Sequence, residues 1–256
     1  NDKTKVIVPV HYAGVACDMD KIMELAATYN LFVVEDAAQA IDSFYKGRSL
    51  GSIGHLATFS FHETKNIISG EGGLLAINDE QFGERAEIIW EKGTNRSAFF
   101  RGEVDKYGWV DIGSSYLPSE IISAFLWGQL EQLDKIQAQR RLLWDTYQEH
   151  IVPNNHIKTP FIPEYATNNA HMFYLLCDSI ETRTKLIAFL KAKNIHAVFH
   201  YLSLEKSPYF SAKHDGRALG NSNFYEERLV RLPMFYELKK EEATQIAQAI
   251  NEFSQS

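Results

Sequence analysis

The stretch Leu31-Phe32-Val33-Val34-Glu35-Asp36-Ala37-Ala38-Gln39-Ala40 decides the fold of this chain. Residues 31–34 are apolar at consecutive positions, which is typical of a strand covered on both faces in a parallel sheet. An apolar run at residues 6–10 and an amphipathic segment at residues 19–29 precede it, so the region predicts a β-α-β unit. Ligands of open α/β sheets bind at the carboxyl ends of strands, and Glu35 and Asp36 stand at that position.

Further segments extend this unit into a mixed, mostly parallel sheet with helices on both faces. Strands are predicted at residues 57–61 and 74–77, joined by a Gly-rich turn at 69–73 that indicates a hairpin. A loop at 93–115 precedes a long predicted helix at 119–150 with an apolar stripe. Beyond it, short strands alternate with helices, at 171–177, 182–193, 196–200 and 240–253. The sequence therefore predicts a large α/β domain over residues 1–150 and a smaller α+β domain over residues 151–256.

The composition favours a small metabolite as the partner. The chain has 256 residues, 45% of them hydrophobic, which is enough apolar material for a large core. A formal net charge of −7 with scattered Lys and Arg argues against nucleic acid and anionic membranes as partners. Cys17 and Cys177 indicate neither a disulfide framework nor a zinc site, and we expect no metal. No apolar run is long enough to span a membrane, and we expect a cytoplasmic protein.

Lys65 is the strongest candidate for a catalytic residue. It follows the strand at 57–61 and precedes the Gly-rich turn, a position where burial lowers the pKa of an amine and makes it nucleophilic. An arbitrary lysine is usually a surface residue, but Asp36 is expected at another strand end of the same sheet. An amine and a carboxylate approaching a flat ligand from different sides suit pyridoxal 5′-phosphate (PLP). That cofactor bonds to a lysine at C4′ and needs an acid beside its ring nitrogen.

Other polar residues near these strand ends have both a functional and a structural interpretation. Ser60 is a candidate for binding the cofactor phosphate, or else a strand hydroxyl bonded to the backbone. Gln39 is a candidate for the phenolic oxygen of the ring. Glu35 and Asp36 could instead cap the start of a helix. His62 is as consistent with packing as with catalysis, and we assign it no role.

Four separated motifs together resemble the DegT/DnrJ/EryC1/StrS family of sugar aminotransferases. They occur in family order, and the similarity continues to His200-Tyr201 and to residues 231–234; the motifs lie at 8–14, 35–40, 59–66 and 70–73. The resemblance implies a PLP-dependent transferase of fold type I that works as a homodimer, or a higher homo-oligomer, with shared active sites. It also implies that Asp36 pairs with the pyridine nitrogen, Gln39 with the phenolic oxygen and Ser60 with the phosphate. Lys65 would bind the cofactor and carry the proton.

The loop at 93–115 adds an expectation about the substrate. Residues 93–96 and 109–116 most resemble members that move the amino group of L-glutamate to the C4 keto group of a dTDP-4-keto-6-deoxyhexose. The product would be dTDP-4-amino-4,6-dideoxygalactose, a precursor of enterobacterial common antigen. An arginine can fork onto a pyrophosphate and aromatic rings can cover a sugar. The candidates for nucleotide-sugar binding in this loop are Arg96, Arg101, Tyr107 and Trp109. The alternative is a solvated loop whose aromatic side chains pack locally.

Two departures from the family pattern stand in the sequence. Leu117 occupies the place where many members carry an asparagine that reaches the phosphate across the dimer, so Ser114, Ser115 or Tyr116 would have to replace it. The chain begins at Asn1 without an initiator Met and enters a strand at once. We therefore expect it to be the remainder of a longer protein whose absent N-terminal part completes the site.

Three other functions compete with sugar amino transfer. Members that deoxygenate the sugar carry histidine in place of the lysine, whereas this chain has Lys65. A non-catalytic protein that binds sugar nucleotides would not need such a lysine. A nicotinamide-dependent enzyme would show G-x-G-x-x-G after its first strand, and that motif is absent. A related transaminase with a different keto sugar also stays open, because pocket stereochemistry is not legible in one sequence.

Overall fold

The computed structural model describes residues 1–254 of an α/β protein. Two compact units are present. The first comprises Asn1–Asp134 and the returning segment Pro163–Asn169, and the second comprises Lys135–Ile162 and the chain from Ala170 onward. The units divide inside the region predicted as one long helix, and the domain boundary at residue 150 stays a prediction.

The strands of the first unit are β1 (Val6–Ile7), β2 (Phe32–Asp36), β3 (Phe44–Tyr45), β4 (Arg48–Ser49), β5 (Leu56–Ser60) and β6 (Gly73–Ile77). A four-stranded mixed sheet has the order β1-β2-β5-β6, and β3 and β4 form a separate two-stranded sheet. Its helices are α1 (Met19–Tyr29), α2 (Gly83–Trp90), α3 (Arg96–Phe100) and α4 (Glu120–Leu130). The pairs β1·β2 and β2·β5 are parallel and β5·β6 is antiparallel, which confirms the predicted mixed, mostly parallel sheet.

The two faces of this sheet differ in burial because successive strand residues point to opposite sides. Val33, Glu35 and Ala57 are fully buried on the side where the core also contains Met19 and Ala26 of α1. The opposite side carries Asp36 at the end of β2, in register with Thr58 of β5. The β-α-β unit therefore directs the Asp36 carboxylate away from the packed core and toward the open side of the sheet.

The second unit has the predicted α+β character. Its strands form an antiparallel sheet in the order β7-β8-β10-β9; they are β7 (Ile157–Lys158), β8 (Tyr174–Cys177), β9 (Val198–Phe199) and β10 (Leu229–Arg231). Its helices are α5 (Leu133–His150), α6 (Ile180–Ala192), α7 (Gly220–Arg228) and α8 (Lys240–Phe253). Tyr147 of α5, Phe173 and Ile250 of α8 are fully buried in one apolar core.

The prediction of one long helix at 119–150 is wrong, because the structure has two helices, α4 and α5, separated at residues 131–132. Ser119 begins α4 by accepting a hydrogen bond from the Ile122 N–H at 3.3 Å. The two helices belong almost entirely to different compact units, and only α5 buries side chains. The predicted stripe on α4 is exposed, with Ile121 at 83% and Phe125 at 52% of their full accessible surface.

Candidate active site

Main-chain hydrogen bonds to the segment that follows β1 hold Asp36 at the end of β2. The Asp36 N–H donates to the Pro9 carbonyl at 2.9 Å, and the Asp36 carbonyl accepts from the His11 N–H at 3.0 Å. Oδ1 accepts from the Ala38 N–H at 3.1 Å. The residues after Asp36 form a turn and not a helix, so the alternative of a helix cap at this acidic pair is wrong. Oδ2 has no hydrogen-bond donor among residues 1–254, which leaves it open to a ligand.

Lys65 lies in a closed loop that joins β5 to β6. The Phe61 N–H donates to the Gly72 carbonyl and the Glu63 N–H donates to the Gly70 carbonyl, both at 2.9 Å. Within the loop, the Lys65 N–H donates to the His62 carbonyl at 2.9 Å and closes a turn. Gly70 has a φ of 81°, a left-handed conformation that glycine adopts without strain. The antiparallel β5·β6 pair confirms the predicted hairpin, and its connection carries Lys65 at the end of β5.

The amine of Lys65 is electrostatically unusual for a lysine. Burial lowers its pKa below the ordinary value, and the nearby Asp36 carboxylate opposes that shift without cancelling it. Within the part of the chain that the structure describes, Nζ has neither a hydrogen bond nor an ion pair. A half-buried amine with a lowered pKa and no partner is suited to act as a nucleophile.

Ser60 and Gln39 each keep a hydrogen-bond donor free for a ligand. Ser60 ends β5, and its Oγ accepts a long hydrogen bond of 3.3 Å from the His62 N–H, so the hydroxyl hydrogen remains available. The Gln39 Oε1 accepts from the Ala13 N–H at 2.7 Å, which leaves the amide NH₂ group as a donor. An amine, a carboxylate, a hydroxyl and an amide NH₂ are thus present on the ends of β2 and β5 and the turns that follow them. This donor set fits a flat, phosphorylated pyridine cofactor.

The four predicted substrate residues lie in the loop region around α3, and two of them have partners within it. The Arg101 guanidinium donates to Glu103 at 2.8 Å and to both carboxylate oxygens of Glu87 at 3.0 Å, and these bonds raise its pKa. Arg96 Nη1 is 3.6 Å from Glu91 Oε1.

The two aromatic candidates of the loop differ in exposure. The Tyr107 ring packs on Phe99 with the ring centroids 5.5 Å apart. Trp109 is 83% exposed. No hydrogen bond or ion pair among the described residues links any of the four to Lys65 or Asp36. Their role in substrate binding stays a prediction.

Two pairs of buried polar residues near the site escaped the sequence analysis. Glu35 faces the opposite side from Asp36, and its carboxylate accepts from the N–H groups of Gly51, Ile53 and Gly54 at 2.6–2.9 Å. His11 is its fourth partner, at 2.9 Å. Strand alternation places Glu35 on the buried face, and that is the one signal that could have revealed it.

The second pair is Asn66 and Asn169. The Asn66 Nδ2 donates to the Asn169 carbonyl at 2.7 Å, although the two residues are 103 positions apart in sequence. Nothing in the local pattern around either residue predicts this contact, because it depends on the return of the segment Pro163–Asn169 to the first unit.

The part of the chain that the structure describes contains neither a cluster of metal-binding side chains nor a helix that could span a membrane. No three His, Cys, Asp or Glu side chains come together in a group that could hold a metal ion. No described helix is both long and apolar enough to cross a membrane.

Comparison with known proteins shows the family. Residues 1–251 match the model of the DegT/DnrJ/EryC1/StrS aminotransferase family, and the chain belongs to that family. It is 32% identical over 258 residues to the uncharacterized protein MJ1066 of Methanocaldococcus jannaschii, covering 97% of this chain and 67% of that protein. It is 29% identical over 259 residues to the spore coat polysaccharide biosynthesis protein SpsC of Bacillus subtilis, covering 98% of this chain and 67% of that protein.

Solved structures agree with this assignment. The crystal structure of S. venezuelae DesV in complex with a ketimine intermediate superimposes with a TM-score of 0.90 at 27% sequence identity, covering all of this chain and 67% of that one. The chain therefore has the α/β fold of these aminotransferases and spans about two thirds of the length of its relatives. The sugar aminotransferases of this family are PLP-dependent and bind a keto-sugar nucleotide and an amino donor.

Proposed function

We propose that this chain forms the catalytic body of a PLP-dependent aminotransferase that acts on a nucleotide-linked keto sugar. The observation that carries the proposal is the half-buried Lys65 amine, which has a lowered pKa, no ionic partner and the Asp36 carboxylate nearby. Sugar-nucleotide binding alone would not need such an amine. PLP, when bound, supplies an electron sink for the charge that develops on the amino-group carbon.

Each residue of the site has a distinct task in this proposal. Lys65 attaches the cofactor covalently and moves a proton between the donor carbon and C4′. Asp36 holds a proton on the pyridine nitrogen through its open Oδ2. Gln39 donates its amide hydrogen to the phenolic oxygen, and Ser60 donates its hydroxyl hydrogen to the phosphate. The catalytic residues are therefore Lys65 and Asp36, while Gln39 and Ser60 bind the cofactor.

The proposed reaction transfers the amino group of L-glutamate to C4 of a dTDP-4-keto-6-deoxyhexose and gives dTDP-4-amino-4,6-dideoxygalactose for enterobacterial common antigen. The support is the resemblance of residues 93–96 and 109–116 to members with this activity. Trp109, with 83% of its surface exposed, offers a ring face to the sugar or the base. Arg96, Arg101 and Tyr107 complete this proposed surface.

We also propose that the working form is a homodimer, or a larger homo-oligomer, with shared active sites. The supporting observation is the uncovered apolar surface of α4, where Ile121 is 83%, Trp127 65% and Phe125 52% exposed. Exposed apolar surface of this kind is typical of interaction sites. Light scattering coupled to size-exclusion chromatography measures the oligomeric state directly, and a monomer at assay concentrations would contradict the proposal.

Borohydride reduction followed by peptide mapping tests the cofactor attachment. The protein is loaded with PLP, reduced and digested, and the labelled peptide is identified by mass spectrometry. Label on Lys65 is expected, and Lys65→Ala should abolish both the label and amino transfer. Lys46→Ala is the matched control, because Lys46 is an exposed lysine paired with Asp20. Label on another lysine would overturn the assignment.

A second experiment separates the proposed reaction from the alternatives. The visible absorption of the holoenzyme is followed while L-glutamate is added, and amino transfer is then assayed with a small panel of nucleotide keto sugars. A shift in the spectrum with glutamate, followed by transfer to the dTDP-4-keto-6-deoxyhexose, supports the proposal. Transfer to a different keto sugar alone would keep the chemistry and replace the substrate. Absence of any spectral response would favour a binding protein.

A further inference from the structure

Asn169 occupies a buried position between the two turns that carry the candidate catalytic residues. It is 0% exposed, and its Nδ2 donates to the main-chain carbonyls of Gln39 and Ile41, both at 2.8 Å. These carbonyls belong to the turn that follows Asp36. The Asn169 side chain therefore holds in place the main chain of the turn that follows Asp36 and carries Gln39.

Asn169 also bonds to the loop at residues 61–72 that carries Lys65, which we call the lysine loop. Asn66, adjacent to Lys65, is 5% exposed and donates from Nδ2 to the Asn169 carbonyl at 2.7 Å. Asn66 and Asn169 thus form a continuous chain of hydrogen bonds from the lysine loop to the turn at residues 36–41. All of these residues belong to the first compact unit.

The surroundings of Asn169 leave it little freedom to move. Gly14 has a φ of 78°, and a Cβ added there would overlap the Asn169 side-chain amide. The Gly14 carbonyl accepts from the Ser43 hydroxyl at 2.6 Å, so the glycine turn itself is held in place. Buried polar groups that are fully bonded and closely packed give a unique geometry, which is what a reaction between separately held groups requires.

We propose that Asn66 and Asn169 are positioning residues that set the distance between the Lys65 amine and the Asp36–Gln39 turn. This inference rests on the proposed function, because it assigns the pair a role in that reaction. Neither asparagine touches the cofactor in this proposal. They act through the main chain: Asn66 places the loop on which Lys65 stands, and Asn169 joins that loop to the turn at residues 36–41.

The first test uses hydrogen–deuterium exchange on the full chain without cofactor. Asn66→Ala should speed exchange of amides in peptides covering residues 61–72 by about tenfold, the scale of one buried hydrogen bond. Asn169→Ala should also speed exchange at residues 36–41. Asn78→Ala is the matched control, since the Asn78 Nδ2 likewise donates to two main-chain carbonyls, those of Gly51 and Gly54. Its effect should be confined to residues 51–54.

The second test measures what a purely structural role would not change. In the PLP-loaded protein, Asn66→Ala should lower the rate of the glutamate half-reaction by about tenfold, while the KM for the keto sugar stays within about twofold. Asn66→Asp keeps the size of the side chain and loses the donor, so it should behave in the same way and serves where the alanine variant folds poorly. Asn78→Ala should leave the half-reaction at the wild-type rate.

Three results would overturn the inference. Unchanged exchange at residues 61–72 in Asn66→Ala would show that the hydrogen bond does not hold the loop. Faster exchange with an unchanged rate of the glutamate half-reaction would show that these hydrogen bonds have only a structural role. Equal rate losses in Asn66→Ala and Asn78→Ala would show a general loss of stability. A wild-type protein that takes no borohydride label on Lys65 would instead contradict the proposed function. The exchange data, which need no cofactor, would still decide whether Asn66 and Asn169 hold the two segments together.

Discussion

Nε2 of His11 lies 2.9 Å from Oε2 of Glu35, and both side chains are fully buried on the packed side of the sheet. The His11 Nδ1 accepts the Cys17 N–H at 3.2 Å, so Nε2 carries the proton that is donated to Glu35. Glu35 and Asp36 are neighbours in sequence, yet strand alternation gives them opposite surroundings. The Glu35 carboxylate supports the loop at residues 51–54, and the Asp36 carboxylate faces the open side where Lys65 lies.

Glu35→Gln should destabilise the protein. Burial raises the pKa of Glu35, but the hydrogen bonds from His11 and from the N–H groups of residues 51–54 more than offset this and hold it below the ordinary value. A glutamine would bring its NH₂ group against these donors, and we expect a loss of about 3 kcal/mol in the free energy of unfolding at pH 7. Urea unfolding at pH 7 measures it, with the exposed Glu24→Gln of α1 as the control.

The same pair predicts a specific dependence of stability on pH. Because the folded pKa of Glu35 is depressed, its contribution is fully present above the ordinary value of 4.5 and is lost as the pH falls through the folded pKa. Wild type should therefore lose stability on acidification below that value, and Glu35→Gln should lose less over the same range. Parallel pH profiles for the two proteins would show that Glu35 does not titrate in this way.

The Lys65 amine should react at lower pH than an ordinary surface lysine. Burial lowers its pKa, whereas the hydrogen bond to Asp20 raises the pKa of Lys46. Reductive methylation of the cofactor-free protein across a pH series, mapped by mass spectrometry, should therefore modify Lys65 at a lower pH than Lys46. Asp36→Asn should move the Lys65 profile lower still, since the Asp36 carboxylate opposes the shift. Coincident profiles for the two lysines would contradict the lowered pKa.

Trp109→Ala should weaken nucleotide-sugar binding selectively. The side chain is 83% exposed, so its removal leaves no cavity and should cost little stability. Loss of a stacking contact worth about 1 kcal/mol should raise the KM for the keto sugar roughly fivefold, with the glutamate half-reaction unchanged. Tyr29→Ala on α1 removes a similarly exposed aromatic ring, at 67%, and is the control. Equal losses in both half-reactions would point to cofactor geometry or subunit packing.

The sequence predicted those parts of the fold and site that depend on local patterns. The apolar run before Asp36 and the amphipathic spacing of α1 predicted a β-α-β unit, and the structure has α1 at Met19–Tyr29 and the parallel pair β1·β2. The position of Lys65 after a strand and before a glycine-rich turn indicated an amine at the sheet edge. These predictions succeeded because period, turn chemistry and strand ends are properties of short segments.

The sequence failed where the structure depends on distant contacts. No glycine or proline lies at residues 131–132, where α4 and α5 are separated, and the division between the two compact units falls just after this break, between Asp134 and Lys135. Asn169 bonds to residues 128 and 130 positions earlier, and no local pattern records such a pairing. The pairing of Arg101 with Glu87, 14 positions away, was missed because the loop around α3 folds back on α2.

Asp36→Asn should separate cofactor attachment from catalysis. An asparagine keeps the shape of the side chain, and its oxygen can still accept the Ala38 N–H that Oδ1 receives at 3.1 Å. The variant also removes the charge that opposes the lowered pKa of Lys65, so its amine should remain free to bind PLP. A neutral amide cannot keep the pyridine nitrogen protonated. We expect the glutamate half-reaction to slow by about 100-fold or more, the scale of removing one preorganised electrostatic group.

Two measurements on the same variant decide this prediction. Borohydride labelling should still mark Lys65 in Asp36→Asn, while stopped-flow absorbance after adding glutamate reports the rate of the half-reaction. Asp20→Asn is the control, since it removes an exposed carboxylate whose ion pair is with Lys46. A near-normal rate in Asp36→Asn would mean that another acid protonates the pyridine nitrogen. Loss of the label together with the rate would mean that Asp36 is needed for cofactor binding itself, because only then would a change of charge at Asp36 prevent attachment at Lys65.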